Sequence, residues 1–100
     1  MVSGDLIYVA AAWGEAADWY RNIKTHPHVT YQLGNRRRSG IARILERDEA
    51  RSVLGSYSER HQKTFERLAG FMLEDPGDTP EDMVENVSAA VPVVVLAPQR

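Results

Sequence analysis

Seven consecutive apolar residues, Leu6-Ile7-Tyr8-Val9-Ala10-Ala11-Ala12, precede Trp13. A run of this length with β-branched and aromatic members predicts a strand that is apolar on both faces, or an inward-facing barrel strand. Such a strand needs neighbours on both sides. The sequence upstream is too short for one to be expected there. A second apolar run, Val91-Pro92-Val93-Val94-Val95-Leu96, predicts another core strand, with Pro92 near its start where a lost backbone donor is tolerable. Everything between these two runs has to close a sheet around them.

The stretch from Trp13 to Gly34 holds both tryptophans, two of the four tyrosines and two of the three histidines. From Glu15 to Thr25 the apolar positions Ala16, Trp19, Tyr20 and Ile23 follow the i, i+3, i+4, i+7 pattern of a helix with one buried face. Glu15 and Asp18 in its first turn and Lys24 in its last agree with the helix dipole. Pro27 ends the helix and moves His26 out of helical geometry. Val29, Tyr31 and Leu33 then alternate along a strand. Gly34-Asn35 is a turn signal, and Arg36–Leu45 reads as the return strand of a hairpin.

The long middle segment has the clearest period. Asp48 is a good N-cap, and Ala50, Val53, Leu54, Tyr57, His61, Phe65, Leu68 and Met72 predict one amphipathic helix reaching about Phe71. His61 falls on its buried stripe, where a core or boundary histidine is the reading. Gly55 is a weak point in the helix, suited to close approach of a neighbouring strand. Thr79-Pro80-Glu81-Asp82 combines a cap residue, proline at the first helical position and an acid at the third, a helix start. Met83, Val84 and Val87 give that helix its buried face.

At 100 residues, with 43% hydrophobic and 26% charged, the chain has the composition of one globular domain. A net charge of −2 argues against a dedicated nucleic-acid binder. Without cysteine there is no thiol nucleophile, disulfide or thiolate metal site, which suits a reducing cytoplasm. Neither apolar run is long enough for stable membrane insertion.

The familiar catalytic constellations are absent: no P-loop, dinucleotide fingerprint, nucleophile elbow or HExxH. His26 and His28 flank a proline without an evident third ligand, so no metal site is expected. Asp75, Asp78, Glu81 and Asp82 lack EF-hand spacing and read as a solvated acidic loop and helix start. Arg36-Arg37-Arg38 is the one concentration of positive charge. It reads as a solvated hairpin tip that protects a strand edge, with phosphate binding as the functional alternative.

What remains is a Gly-containing strand-to-helix loop walled by aromatics. Backbone N–H groups at Trp13, Gly14 and Glu15 would be free at a helix N-terminus, open to an anion or a polarised carbonyl. Trp13, Trp19, Tyr20 and Tyr57 could stack on a flat heterocycle that does its own redox chemistry. Alternatively, Trp19 and Tyr20 are simply core residues of their helix.

The segment YVAAAWGEAADWYRNIKTHPHVTYQLGNRR resembles the deazaflavin-dependent nitroreductase family, with its strand, Gly-containing loop, WYxNL-like helix, HP turn and VTVQVG-like strand. ERDEARSVLGSYSERHQKTFERLAGFML and VPVVVLAPQR resemble its long helix and final strand. The resemblance implies an α+β split β-barrel of the flavin-reductase and pyridoxamine-phosphate-oxidase type, here one N-terminally shortened domain over residues 1–100 with one long helix. It implies the deazaflavin coenzyme F-420, with FMN as the alternative cofactor, and hydride transfer to quinones, nitro compounds or other electron-poor acceptors. Ala11, Ala12, Trp13, Gly14 and Glu15 would line the deazaflavin ring with Trp19 and Tyr20 beside it, and Tyr57 and His61 would lie on the substrate side.

Family members carry a Gly- and basic-rich segment and further strands ahead of this point. Either the chain is a truncated or remodelled relative or a partner chain replaces these strands, and because exposed edges of an incomplete barrel favour self-association, a homodimer or higher homo-oligomer is expected. A non-catalytic flavin- or haem-binding or oligomerising relative is the alternative function.

Overall fold

A computed structural model describes residues 2–11 and 18–98. They form two compact units: one from the N-terminal part through Ile44 together with the chain from Val93, and one spanning Leu45–Pro92.

The first unit is a five-stranded antiparallel sheet. Its strands are β1 (Val2–Ser3), β2 (Leu6–Ala10), β3 (His28–Leu33), β4 (Arg36–Ile44) and β5 (Val93–Pro98), in the order β1-β2-β5-β4-β3. The C-terminal strand therefore lies at the centre, between the first long strand and the hairpin. Val93, Val94 and Val95 are all buried, as expected of a central strand. Strand β5 starts one residue after Pro92, so no ladder bond is lost to the proline.

Strand β2 departs from expectation in two ways. Its five residues are half-buried rather than enclosed on both faces. It also has an upstream neighbour, because Gly4 at φ 59° lets Val2–Ser3 fold back onto Leu6 and Ile7 through a two-residue turn. A tight hairpin needs only two residues of extended chain, which the apolar run by itself does not reveal.

The hairpin β3–β4 follows its pattern. Burial alternates along β3, with Val29, Tyr31 and Leu33 on the more covered face, and Leu33 pairs with Arg36 across Gly34-Asn35. Gly34 adopts φ 63° at the first turn position, as a II′ connection requires. The Ala42 N–H donates to the Pro27 carbonyl at 2.7 Å, tying the end of the preceding helix to the sheet. That helix, α1 (Asp18–Thr25), packs Tyr20 and Ile23 into a cluster with Ala11, Ala42 and Val94, flanked by Val29, Ile44 and Leu96.

The second unit is helical: α2 (Arg47–Arg60), α3 (Gln62–Met72) and α4 (Pro80–Ala90), each packed against the other two. Its buried residues include Ala50, Leu54, Phe65, Ala69, Val84 and Val87. The single long helix of the sequence reading is two helices broken at His61, whose φ of −137° and ψ of 56° leave the helical region. Backbone bonds survive the break: the His61 N–H donates to the Tyr57 carbonyl at 2.8 Å, and the His61 carbonyl accepts from Phe65 at 2.9 Å. A straight helix would have buried an imidazole on its core stripe, which costs free energy without a partner. The bend leaves His61 exposed and sets the Tyr57 and Phe65 rings edge-to-face at 6.4 Å.

Two further details differ. The N-cap of α2 is Glu46, not Asp48, and its N–H donates to the Glu49 carboxylate at 3.3 Å. A Cβ added at Gly55 would meet nothing within 4 Å, so no strand approaches it. Thr79 caps α4 as its sequence predicts, its hydroxyl accepting from the Asp82 N–H at 3.1 Å. Among the described residues no helix is long and apolar enough to cross a membrane.

Candidate functional site

The candidate site begins where β2 ends. Ala11 directly follows the strand and is buried beneath α1 in the cluster that holds Tyr20. Ala12, Trp13, Gly14 and Glu15 lie outside the described residues, as does the expected run of free N–H groups at the start of the helix.

The two aromatics of α1 have different surroundings. Tyr20 is 5% exposed and belongs to the core, whereas Trp19 is 41% exposed. Their rings stand nearly perpendicular, with centroids 6.2 Å apart at 86°, in a T-shaped contact. Lys24 lies one turn on, its Nζ 4.9 Å from the Tyr20 ring centroid. This cation–π contact occupies one side of the phenol. Of the stripe Ala16, Trp19, Tyr20 and Ile23, Ala16 lies outside the described residues, and the rest divides into a core pair, Tyr20 and Ile23, and an exposed indole. The i, i+4 spacing of Tyr20 and Lys24 is a signal that the sequence reading passed over.

In the helical unit, Tyr57 is half-buried and its ring lies 5.2 Å from that of His61. Strand alternation puts Arg36 and Arg38 on one face of β4 and Arg37 on the other, and exposure does not follow that division. Arg36 and Arg37 are exposed, while Arg38 is partly covered and its guanidinium reaches the Asp5 carboxylate at 3.4 Å. Asp5 sits in the β1–β2 turn, so this arginine ties the hairpin to the other end of the sheet. His26 and His28 are both exposed. No three His, Cys, Asp or Glu side chains converge on a metal-sized site among the described residues.

Set against known families, residues 1–75 match the family model described as F420H(2)-dependent quinone reductase. The chain belongs to that family. No curated protein and no solved structure matches it. For this F420H(2)-dependent quinone reductase family chain, the matched region takes in the whole candidate set, from Ala11 through Tyr20 to Tyr57 and His61. The family also supplies the ring for which a flat aromatic wall is suited: a deazaflavin. The described side chains fit one to the extent that Trp19 is an exposed aromatic on a helix held to the core by its neighbour Tyr20.

Proposed function

We propose that the protein is an oxidoreductase that uses reduced coenzyme F-420 to reduce a quinone, with nitro compounds and other electron-poor molecules as further acceptors. The family match over residues 1–75 carries this reading. When bound, the deazaflavin supplies the hydride. The protein's own task is to hold and orient the ring.

In this proposal Ala12, Trp13, Gly14 and Glu15 line the cofactor, with Trp19 stacking against it, while Ala11, buried in the cluster with Tyr20, serves the wall from behind. Tyr20, being buried, acts through Trp19 by fixing the helix on the sheet. A small residue at position 12 lets a flat ring come close to the backbone, and an aromatic wall excludes water from it. Tyr57 and His61 are assigned to the acceptor. Reducing a quinone to a hydroquinone takes one hydride and one proton, and both side chains carry groups able to pass a proton. The sheet and α1 are proposed to form part of a split barrel, in which strand pairing is shared with a second copy.

Trp13 and Trp19 are the two tryptophans of the chain, and both fall in the proposed site. Their fluorescence is therefore a direct reporter. Titration with oxidised coenzyme F-420 is expected to quench it saturably, with half-saturation at or below about tens of micromolar. FMN titrated in parallel is expected to bind more weakly. Absence of saturable deazaflavin binding over that range overturns the proposal. Oxidation of the reduced coenzyme by a soluble naphthoquinone, dependent on the protein, tests the reaction itself.

A further inference from the structure

Two serines are buried among the described residues, and their hydroxyls differ in one respect. The Ser88 hydroxyl donates to the Glu85 carbonyl at 2.9 Å, the local bond by which a helix satisfies a buried serine. Ser58 is 4% exposed, yet its hydroxyl has no hydrogen-bond partner among the described residues. A group in that position costs free energy unless something supplies the bond. The Tyr31 hydroxyl is the orphan that protein atoms enclose completely, so the Ser58 hydroxyl reaches open space. The space it borders is a groove between α2 and α4.

The groove has a volume of about 340 Å³, within the range that holds a small organic molecule. Gly55, Ser58 and Glu59 of α2 line it opposite Glu81, Val84 and Glu85 of α4. Gly55 makes the room, since an added Cβ would meet nothing within 4 Å. One end is closed by an ion pair, with Arg51 Nε 2.9 Å from the Glu85 carboxylate. From there the lining runs forward along α2 to Glu59 and back along α4 to Glu81. Both of these carboxylates are exposed, and neither has an ion-pair or hydrogen-bond partner among the described residues. With Arg51 engaged by Glu85, the other end of the groove holds two free negative charges beside an unsatisfied hydroxyl.

We propose that this groove binds a small organic ammonium ion, a primary alkylamine in its protonated form. The ammonium donates to the Glu59 and Glu81 carboxylates and to Ser58 Oγ, three acceptors for three N–H groups. The alkyl chain lies over Gly55 and Val84 toward the Arg51–Glu85 pair. A metal ion is the wrong occupant, because no three His, Cys, Asp or Glu side chains converge on a metal-sized site among the described residues. An anion is repelled by the same two carboxylates. None of the lining residues is assigned to the coenzyme or the acceptor, so the site is a second one and does not rest on the proposed reaction.

Titration of the full chain with n-butylammonium chloride, followed by amide NMR spectra, tests this. Saturable shifts centred on Gly55, Ser58 and Val84 are expected, with Kd about 1 mM or below. n-Butanol, which has the same chain without the charge, is expected to bind at least about tenfold more weakly. Glu59→Gln and Glu81→Gln each keep the shape and remove one charge, and each is expected to weaken binding about three- to tenfold. Ser58→Ala is expected to weaken it about threefold. Gly55→Leu fills the groove and is expected to abolish binding while circular dichroism matches the parent, since the position is open. Should that variant fail to fold, the two carboxamide variants, at exposed positions, decide the matter. Absence of saturable shifts up to about 20 mM overturns the proposal. Binding indifferent to both carboxamide variants overturns it too, as does equal binding of n-butanol or displacement of the amine by stoichiometric magnesium.

Discussion

The ring of Tyr31 lies across Gly40, two positions along β4 from its paired residue Arg38. A Cβ at Gly40 would come within 2.8 Å of Tyr31 Cε1 and within 2.3 Å of the Ala97 carbonyl oxygen on β5. The glycine thus lets an aromatic cover a strand position that has no side chain of its own, a known device for steadying strand glycines.

Gly40→Ala is expected to be the more damaging of two matched glycine substitutions. The tyrosine could swing aside, but the Ala97 carbonyl is backbone in the central strand and can move only by shifting the β4–β5 ladder. Forced overpacking of this kind costs roughly 1–3 kcal/mol. Urea denaturation monitored by circular dichroism is expected to show the loss as a lowered midpoint.

Tyr31→Phe is expected to be nearly neutral. The Tyr31 hydroxyl is buried without a hydrogen-bond partner among the described residues. Removing it gives up no internal bond and relieves a buried polar atom of its desolvation cost. The same denaturation experiment reads this out, and a loss above about 1 kcal/mol would show that the hydroxyl has a partner in solution.

Gly55→Ala is expected to stabilise the helical unit. Gly55 lies within α2, and an added Cβ would meet nothing within 4 Å. The gain is the helix propensity difference, about 0.5–1 kcal/mol, read as a higher midpoint in thermal unfolding. Sequence alone points equally to close packing and to empty space at such a glycine. Only the surroundings separate Gly55 from Gly40.

The same distinction runs through the rest of the chain. Local signals were legible in the residues: the Gly34-Asn35 turn, the alternation along β3, Pro27 after α1 and the Thr79-Pro80 helix start all stand where their chemistry places them. Tertiary choices were not. A periodic stripe does not reveal that a helix will bend at His61 to keep an imidazole in water, because the period continues through the bend. Nor did Ala16, Trp19, Tyr20 and Ile23 reveal which aromatic faces outward, since a stripe has two edges and burial depends on what lies opposite. For the candidate site, the loop residues were picked out by composition and the family by their order. The division of labour between Trp19 and Tyr20 needed coordinates.

Glu85→Ala is expected to loosen α4 from α2. Its carboxylate accepts from Arg47 at 2.6 Å and from Arg51 at 2.9 Å and 3.2 Å, so two arginines of α2 converge on one acid of α4. The groups are partly exposed, so the network is worth about 0.5–1 kcal/mol and is weakened by salt. The stability difference between variant and parent should shrink as salt is raised to about 1 M. A difference independent of salt would mean that packing of the stem, and not charge, holds the helices.

Trp19→Ala separates a structural role for the aromatic stretch from a binding one. With 41% of its surface exposed, the indole contributes only part of its area to the fold, and Tyr20 and Ile23 remain to anchor α1. The fold is therefore expected to survive, with a modest drop in the unfolding midpoint. Loss of one stacking face should weaken deazaflavin binding about tenfold, equivalent to about 1.4 kcal/mol, whereas Trp19→Phe should retain most of the affinity. Absorbance titration of the coenzyme is the readout, since the substitution also removes one of the two fluorophores. Tyr20→Ala is the contrasting variant. It opens a cavity beneath the helix and is expected to cost about 3–5 kcal/mol, losing stability and binding together. Equal affinity in the parent and Trp19→Ala would place the cofactor away from α1 and sink the assignment of Trp19 to its wall.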